Sequence, residues 1–255
     1  MIQKLNKIPF KEYKTWFYNY TNNYKKDKEI ANKALLKIDH TERVIKLSEE
    51  IYDSLHPETK EDNLADLVNT CALFHDIGRF WQVKENKTFW EGNQKIDHGK
   101  KGVEILKLKN ILSELTKYQK DIIYNAIEYH NKLEVPHFSD HYKEICSNII
   151  RDADKLDIIN IMINNYDPKK GYTSGCSKET LLNIFNKSPV DISNNKTHDD
   201  AILTRIGFGY DLHYKKSIET YKTYLPKLLN MLSDKSHNRE IEEHISGYLK
   251  QRVKA

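Results

Sequence analysis

Four histidines and two aspartates carry most of the chemistry available to this chain. Read at helical spacing, His40 lies on the line Leu36, His40, Val44, Leu47, and His75 continues the stripe of Leu64, Leu67, Val68, Cys71 and Ala72. His98 precedes Gly102 and Ile105, His130 follows Ile123, Ala126 and Ile127, and Asp154 stands four residues from both Ile150 and Ile158. Residues three and four apart share a helix face, so each of these groups is aimed at the side of its helix that seeks burial. Asp76 follows His75 directly. Any one such residue, taken alone, is more often a hydrogen-bonded core residue than a ligand. Five helices that each turn a His or Asp inward are harder to explain that way, because an imidazole or carboxylate is costly to bury without a partner. Four imidazoles and two carboxylates make a donor set for Fe, Mn, Zn, Ni or Co rather than for Mg or Ca. No serine or cysteine nucleophile is required, and Cys71 reads as core.

The elements that must position these groups read as helices. Glycine and proline are few, 9 and 6 in 255 residues, and strand-like alternation is rare, so the expected class is all-α. The predicted helices run from Phe10 to Asn22, Asp27 to Leu55, Glu61 to Asp76, His98 to Lys109 with Asp97 as its cap, and Tyr118 to His130. One more begins near Asp140 and runs to about Ile163. Beyond it, helices are expected over Lys178 to Asn186, His198 to Leu212, Tyr214 to Ser233 and Arg239 to Gln251. Gly78 is placed to end the helix that carries His75 and Asp76. Arg79 to Asp97 has no period and reads as a long loop or lid. Ser188 to Thr197 is the best candidate for a mobile loop. No internal repeat is evident.

Composition bounds the rest. With 41 basic and 37 acidic residues the formal charge is +4, nearly balanced, which argues at most weakly for nucleic acid as a partner. The three cysteines, Cys71, Cys146 and Cys176, have no metal-type spacing and are expected as free thiols in a reducing compartment. Met1 to Phe10 lacks the apolar core of a signal peptide, and no run approaches a membrane span. The expected location is cytoplasmic.

The order His40, His75-Asp76, Asp154, in the local contexts HTERV, LFHDIGR and RDADKLD, resembles the HD-domain metal-dependent phosphohydrolase superfamily. The intervening histidines, in DHGKKGVEIL and IEYHN, resemble subfamilies that hold two metals, among them cyclic-dinucleotide phosphodiesterases and some dinucleotide hydrolases. After His130 the sequence reads NKLEVPHF rather than the Gly-Tyr-Pro signature of the cyclic-di-GMP type. The resemblance covers about Lys28 to Ile163. It implies an HD-type helical bundle as one domain over residues 1–255, with a C-terminal helical extension over about 178–252. It implies a first divalent ion on His40, His75, Asp76 and Asp154, and a second on His98 and His130 with Asp76 as bridge. The activity implied is hydrolysis of a phosphoester or phosphoanhydride by a metal-activated hydroxide, with a nucleotide or dinucleotide as substrate. An HD nuclease acting on single-stranded nucleic acid and a non-catalytic nucleotide-binding sensor are the alternatives.

Around the metal ligands, Arg79 offers a bidentate fork for phosphate, and serving as a surface helix-end cation is its equal alternative. Lys155 is a candidate substrate contact, set against ion pairing with Asp157 or Asp152. Lys100 and Lys101 open the helix at His98, where the dipole does not favour cations, and read as solvated. Trp81, Phe89 and Trp90 are candidates to stack on a base, set against plain loop packing. His137 and His141 lie close to His130 in sequence but in polar surroundings, and are assigned no metal.

Overall fold

The computed structural model describes residues 4–89, 97–188, 192 and 195–254. Among these residues every regular element is a helix, as expected of an all-α chain. The Cα positions divide into two compact units, 1–153 and 154–255, and the division falls inside a single helix. Among the described residues no helix is long and apolar enough to cross a membrane.

The first unit is built from α1 (Phe10–Lys25), α2 (Ala31–Asp53), α3 (Leu64–Phe74), α4 (Ile77–Asn86), α5 (His98–Leu108), α6 (Lys117–Tyr129) and the first half of α7 (His141–Asn165). Helix α3 is apolar almost all round and every residue from Leu67 to Phe74 is buried, so it is the central element. Helices α1, α2 and α6 pack on α3, and α4 and α5 continue the layer. Aromatic rings seal α1 to α3 and α4: Phe17 meets Phe80 edge-on at 5.8 Å between centroids, and Tyr13 and Trp16 each stand 6.0 Å from Phe74. Helix α6 begins with a capping box between Thr116 and Gln119, and the Asp97 side chain caps α5 by accepting from the Lys100 amide.

Three expectations need correction. The buried face of α2 runs through Ala34, Ile38, Thr41, Ile45 and Ser48, with His40 and Val44 beside it, whereas Leu36 is 61% exposed. His40 and Val44 of the expected stripe are buried, and Leu36 is the residue that falls outside it. Residues 79–86 are not a loop. They are most of α4, whose Ile77, Phe80 and Val83 recur every three residues and are buried. Nor does Gly78 end a helix, since it lies in the first turn of α4. Trp90 and the rest of the expected lid to residue 96 lie outside the described residues, as do 189–191 and 193–194 of the expected loop 188–197.

The second unit holds the rest of α7, then α8 (Lys178–Phe185), α9 (His198–Gly207), a 3-10 turn (Phe208–Asp211), α10 (Lys215–Met231) and α11 (Asn238–Lys254). Helix α9 packs on α8 and α10, and α10 on α11. The Tyr221 hydroxyl donates to the Ile206 carbonyl at 2.6 Å, and its ring lies so close to Gly209 that a Cβ there would sit 2.7 Å from it.

Two buried carboxylates fasten the connections of this unit. Asp199 accepts from the amides of Gly175 (2.9 Å) and Ser233 (3.2 Å). Asp200 accepts from the Ser177 amide (2.7 Å) and hydroxyl (2.9 Å) and from the amides of Lys196 (3.0 Å) and Thr197 (3.2 Å). Burial raises the Asp200 pKa, but these donors outweigh it and hold the carboxyl below its ordinary value. Replacing Asp200 by Ala is expected to destabilise this unit by about 2–3 kcal/mol, because several buried donors lose their acceptor. A lowered folded pKa gives stability that is complete above the unfolded value, about 4. It is lost as pH falls through the folded value. Denaturant unfolding of Asp200→Ala and the parent should therefore differ by a constant amount at neutral pH and converge only in acid. A gap that closes already at pH 6 would assign the effect to another group.

Candidate metal centre

Helix α3 stops at Phe74, and α4 starts at Ile77 in a new direction. His75 and Asp76 sit at the break, His75 still in helical conformation and Asp76 at φ −104°, ψ 15°. An Asp in this position ordinarily caps the next helix with its side chain. Here the Asp76 side chain makes no cap bond, and its carboxylate turns into the interior instead.

That carboxylate faces four imidazoles, one oxygen to each pair. Asp76 Oδ2 lies 3.5 Å from His40 Nε2 and 3.6 Å from His75 Nε2, and those two nitrogens are 3.2 Å apart. Asp76 Oδ1 lies 3.4 Å from His98 Nε2 and 3.6 Å from His130 Nε2, which are 3.1 Å apart. All five residues are at most 4% exposed. Donor atoms about 2.0–2.1 Å from a common ion lie about 3.0 Å apart in octahedral and about 3.4 Å apart in tetrahedral coordination. Both triangles have edges of this size, and the carboxylate joins them, so the residues fit one ion in each triangle.

The imidazole protons support the fit. His75 Nδ1 is 2.7 Å from the Ala72 carbonyl, and His130 Nδ1 is 2.6 Å from the Ile127 carbonyl. A carbonyl only accepts, so both Nδ1 atoms carry the proton and both Nε2 atoms present lone pairs to the centre. Burial, reinforced by the Arg79 charge, pulls the His98 pKa well below its ordinary value and keeps that ring neutral, as a ligand must be. Burial also works against the charged form of Asp76, but neighbouring positive charge, Lys37 first, outweighs it and holds the carboxyl well below its ordinary value.

Close backbone approach brings α5 and α6 to Asp76. A Cβ on Gly78 would lie 2.1 Å from the His98 carbonyl oxygen, and one on Gly99 would lie 2.8 Å from the Ile127 carbonyl oxygen. Only glycine lets α4, α5 and α6 meet at this distance, and this contact sets the depth of His98. The C-terminal end of α6 is held by Arg151 of α7, which is 3% exposed and donates through Nη1 to the carbonyls of Tyr129 (2.9 Å), His130 (3.2 Å) and Lys132 (2.8 Å). A cation at this end also complements the helix dipole.

Two neighbours of the centre escaped the sequence reading. Lys37 Nζ is 2.5 Å from Asp76 Oδ2, and its ammonium stands 5.4 Å from the Phe89 ring centre. Its position three residues before His40, on a neighbouring face, was the available signal. Asn131 stands behind His98, with Nδ2 3.2 Å from His98 Nδ1 and with a buried Oδ1 that has no partner.

The other expected contacts fall as follows. Arg79 lies beside Asp76 (Nε to Oδ1 3.7 Å), and its Nη1 donates to Gln82 and to the Phe89 carbonyl. It is not a surface cation. Trp81 is half-buried, with Lys101 Nζ 4.4 Å above its ring, so that lysine is engaged rather than simply solvated. Lys155 pairs with Asp211 at 2.9 Å, a partner outside the two weighed from sequence. Asp154 is half-buried on α7 and is the first residue of the second unit.

Asn131 generates a prediction. To ligate through Nε2, His98 must carry its proton on Nδ1, and that proton needs an acceptor. Turning the Asn131 amide over supplies Oδ1 as the acceptor and gives the lone oxygen its partner. Asn131→Ala is expected to weaken divalent-metal binding by about 10–100-fold while leaving the helical content intact, and Asn131→Asp to retain tight binding. Elemental analysis after dialysis against graded chelator measures this. Unchanged metal retention in the Ala variant would remove Asn131 from the centre.

Residues 38–159 match the family model of the HD domain. No curated protein and no solved structure matches the chain. The matched stretch contains all six expected ligands, from His40 to Asp154, and HD domains bind divalent metal ions. The match over residues 38–159, just under half of the chain, is consistent with the HD-domain superfamily of metal-dependent phosphohydrolases.

Proposed function

We propose that this protein hydrolyses a phosphoester or phosphoanhydride bond of a nucleotide at the centre around Asp76. The observation that carries the reading is the division of the Asp76 carboxylate, one oxygen facing the His40 and His75 pair and the other the His98 and His130 pair. A single-ion site has no use for the second pair. In this reading His40, His75, Asp76 and Asp154 hold one ion and His98, His130 and Asp76 the other, Asp154 being assigned by the family resemblance. When bound, divalent ions lower the pKa of water and neutralise phosphate oxygens.

The chain's own residues supply the remaining parts. Lys37 and Arg79 flank Asp76. Two cations beside the centre suit an anionic substrate, and Arg79 can grip a phosphate through two nitrogens. In a site this dry, fixed donors act at low dielectric and strengthen as charge builds on phosphate oxygens. Phe89, whose ring centre lies 5.4 Å from Lys37 Nζ, takes the role of base contact. A cytoplasmic setting is supported by Cys71 and Cys146, neighbours in the core that remain free thiols.

The freshly purified protein is expected to carry Fe, Mn, Zn, Ni or Co, and chelation to abolish hydrolysis. His130→Ala should bring metal content from about two per chain towards one and lower kcat by at least about 100-fold. Screening reconstituted protein against mononucleotides, dinucleotides, cyclic dinucleotides and single-stranded DNA and RNA identifies the substrate class. Undiminished activity in chelator would overturn the metal reading, and cleavage of nucleic acid alone would replace it by a nuclease.

A further inference from the structure

The second unit contains a cavity of about 320 Å³ that the metal centre does not explain. One wall is the face of α7 that carries Ile158, Ile161 and Met162. Opposite polar character comes from Tyr172, His198 and Arg205. Three rings, Tyr166, Tyr172 and His198, lie nearly parallel: Tyr172 and His198 are 4.0 Å apart at 14°, and Tyr166 and Tyr172 are 5.5 Å apart at 15°. Burial, with the nearby Arg205 charge, lowers the His198 pKa against the pull of Asp199, so the ring that faces the arginine is neutral and flat.

Arg205 is the unusual member. Its Nη1 donates to the Ala201 carbonyl at 3.2 Å, one turn back on α9. Its Nε is buried and has no hydrogen-bond partner. Among the described residues no carboxylate lies within ion-pair distance of it. Burial draws its pKa down to about 10, the mark of a guanidinium short of solvent and counter-charge. A half-buried cation whose Nε is buried without a partner is costly unless an anion completes it.

We propose that this cavity binds a mononucleotide, with the base extending the ring stack of Tyr172 and His198 along the apolar face of α7 and the phosphate on Arg205. The volume lies at the small end of ligand pockets and suits one nucleotide rather than two. The aromatic faces bind a base without regard to its identity, and the guanidinium selects for the anion. The site stands apart from the hydrolytic reading, since none of its residues is assigned there.

Isothermal titration of the full-length, metal-stripped protein with AMP, adenosine and inorganic phosphate tests this. AMP is expected to bind more tightly than either fragment. Arg205→Gln should weaken AMP by about tenfold or more and leave adenosine within about twofold, while Arg205→Lys retains part of the AMP affinity. Ile161→Trp, a half-exposed position, fills the cavity and should abolish binding of both even if the Arg205 variants fold poorly. AMP binding that survives both Arg205→Gln and Ile161→Trp would overturn the proposal. So would phosphate binding as tightly as AMP, or no binding of AMP at millimolar concentration. Metal-dependent hydrolysis is assayed separately on the reconstituted protein, so failure of one reading leaves the other standing.

Discussion

One buried carboxylate among four imidazoles is the constraint on which the first unit depends. Asp76 is 3% exposed, and a carboxylate so deep costs several kcal/mol unless positive charge or hydrogen-bond donors answer it. Two of the imidazoles spend their protons on backbone carbonyls of their own helices, at Ala72 and Ile127. They therefore offer Asp76 lone pairs rather than protons. Lys37 answers part of the charge, yet it reaches only Oδ2. Divalent ions would answer the rest, and the spacing of the donor atoms suits them.

The backbone is arranged around the same need. The chain breaks between α3 and α4 at the residue pair that must point inward, and the Asp76 side chain forgoes its cap bond to do so. Gly78 and Gly99 permit α5 to approach α4 and α6 at backbone contact, which brings His98 and His130 to one oxygen. Arg151 then holds the end of α6 by three carbonyls, so the position of His130 does not rest on helix fraying. Packing of this kind is stiff, and stiffness is what a preorganised electrostatic site requires.

The second unit solves a different problem. Its loops are fastened by Asp199 and Asp200, two carboxylates that accept from amides and hydroxyls of the connections they hold. Several buried polar atoms of this unit have no partner, among them Tyr210 Oη and His244 Nε2, and of these Arg205 Nε is the one whose residue lines the cavity. A satisfied carboxylate reads as structure, whereas an unsatisfied guanidinium beside open space reads as a binding group.

The sequence by itself determined the class and the inward-facing groups. Helical spacing placed His40, His75, His98 and His130 on inward faces, and all four are buried there, because a periodic face and a buried face are the same object. The motif contexts were sufficient to place residues 38–159 in their superfamily. Tertiary structure alone decided which side chains meet. Lys37 sits on no apolar stripe, and its role comes from a long-range contact between α2 and Asp76. Asn131 and Arg151 act through backbone and ring atoms of another helix, again invisible to periodicity. Gly78 looked like a helix terminator because glycine often is one, but the tight approach of the His98 carbonyl gives it another purpose. The segment after Asp76 looked aperiodic because Gly78 and Arg79 interrupt its stripe, while Ile77, Phe80 and Val83 still drove it into a helix. Spacing along one chain reports which face of an element is buried; only packing between elements reports what that face is buried against.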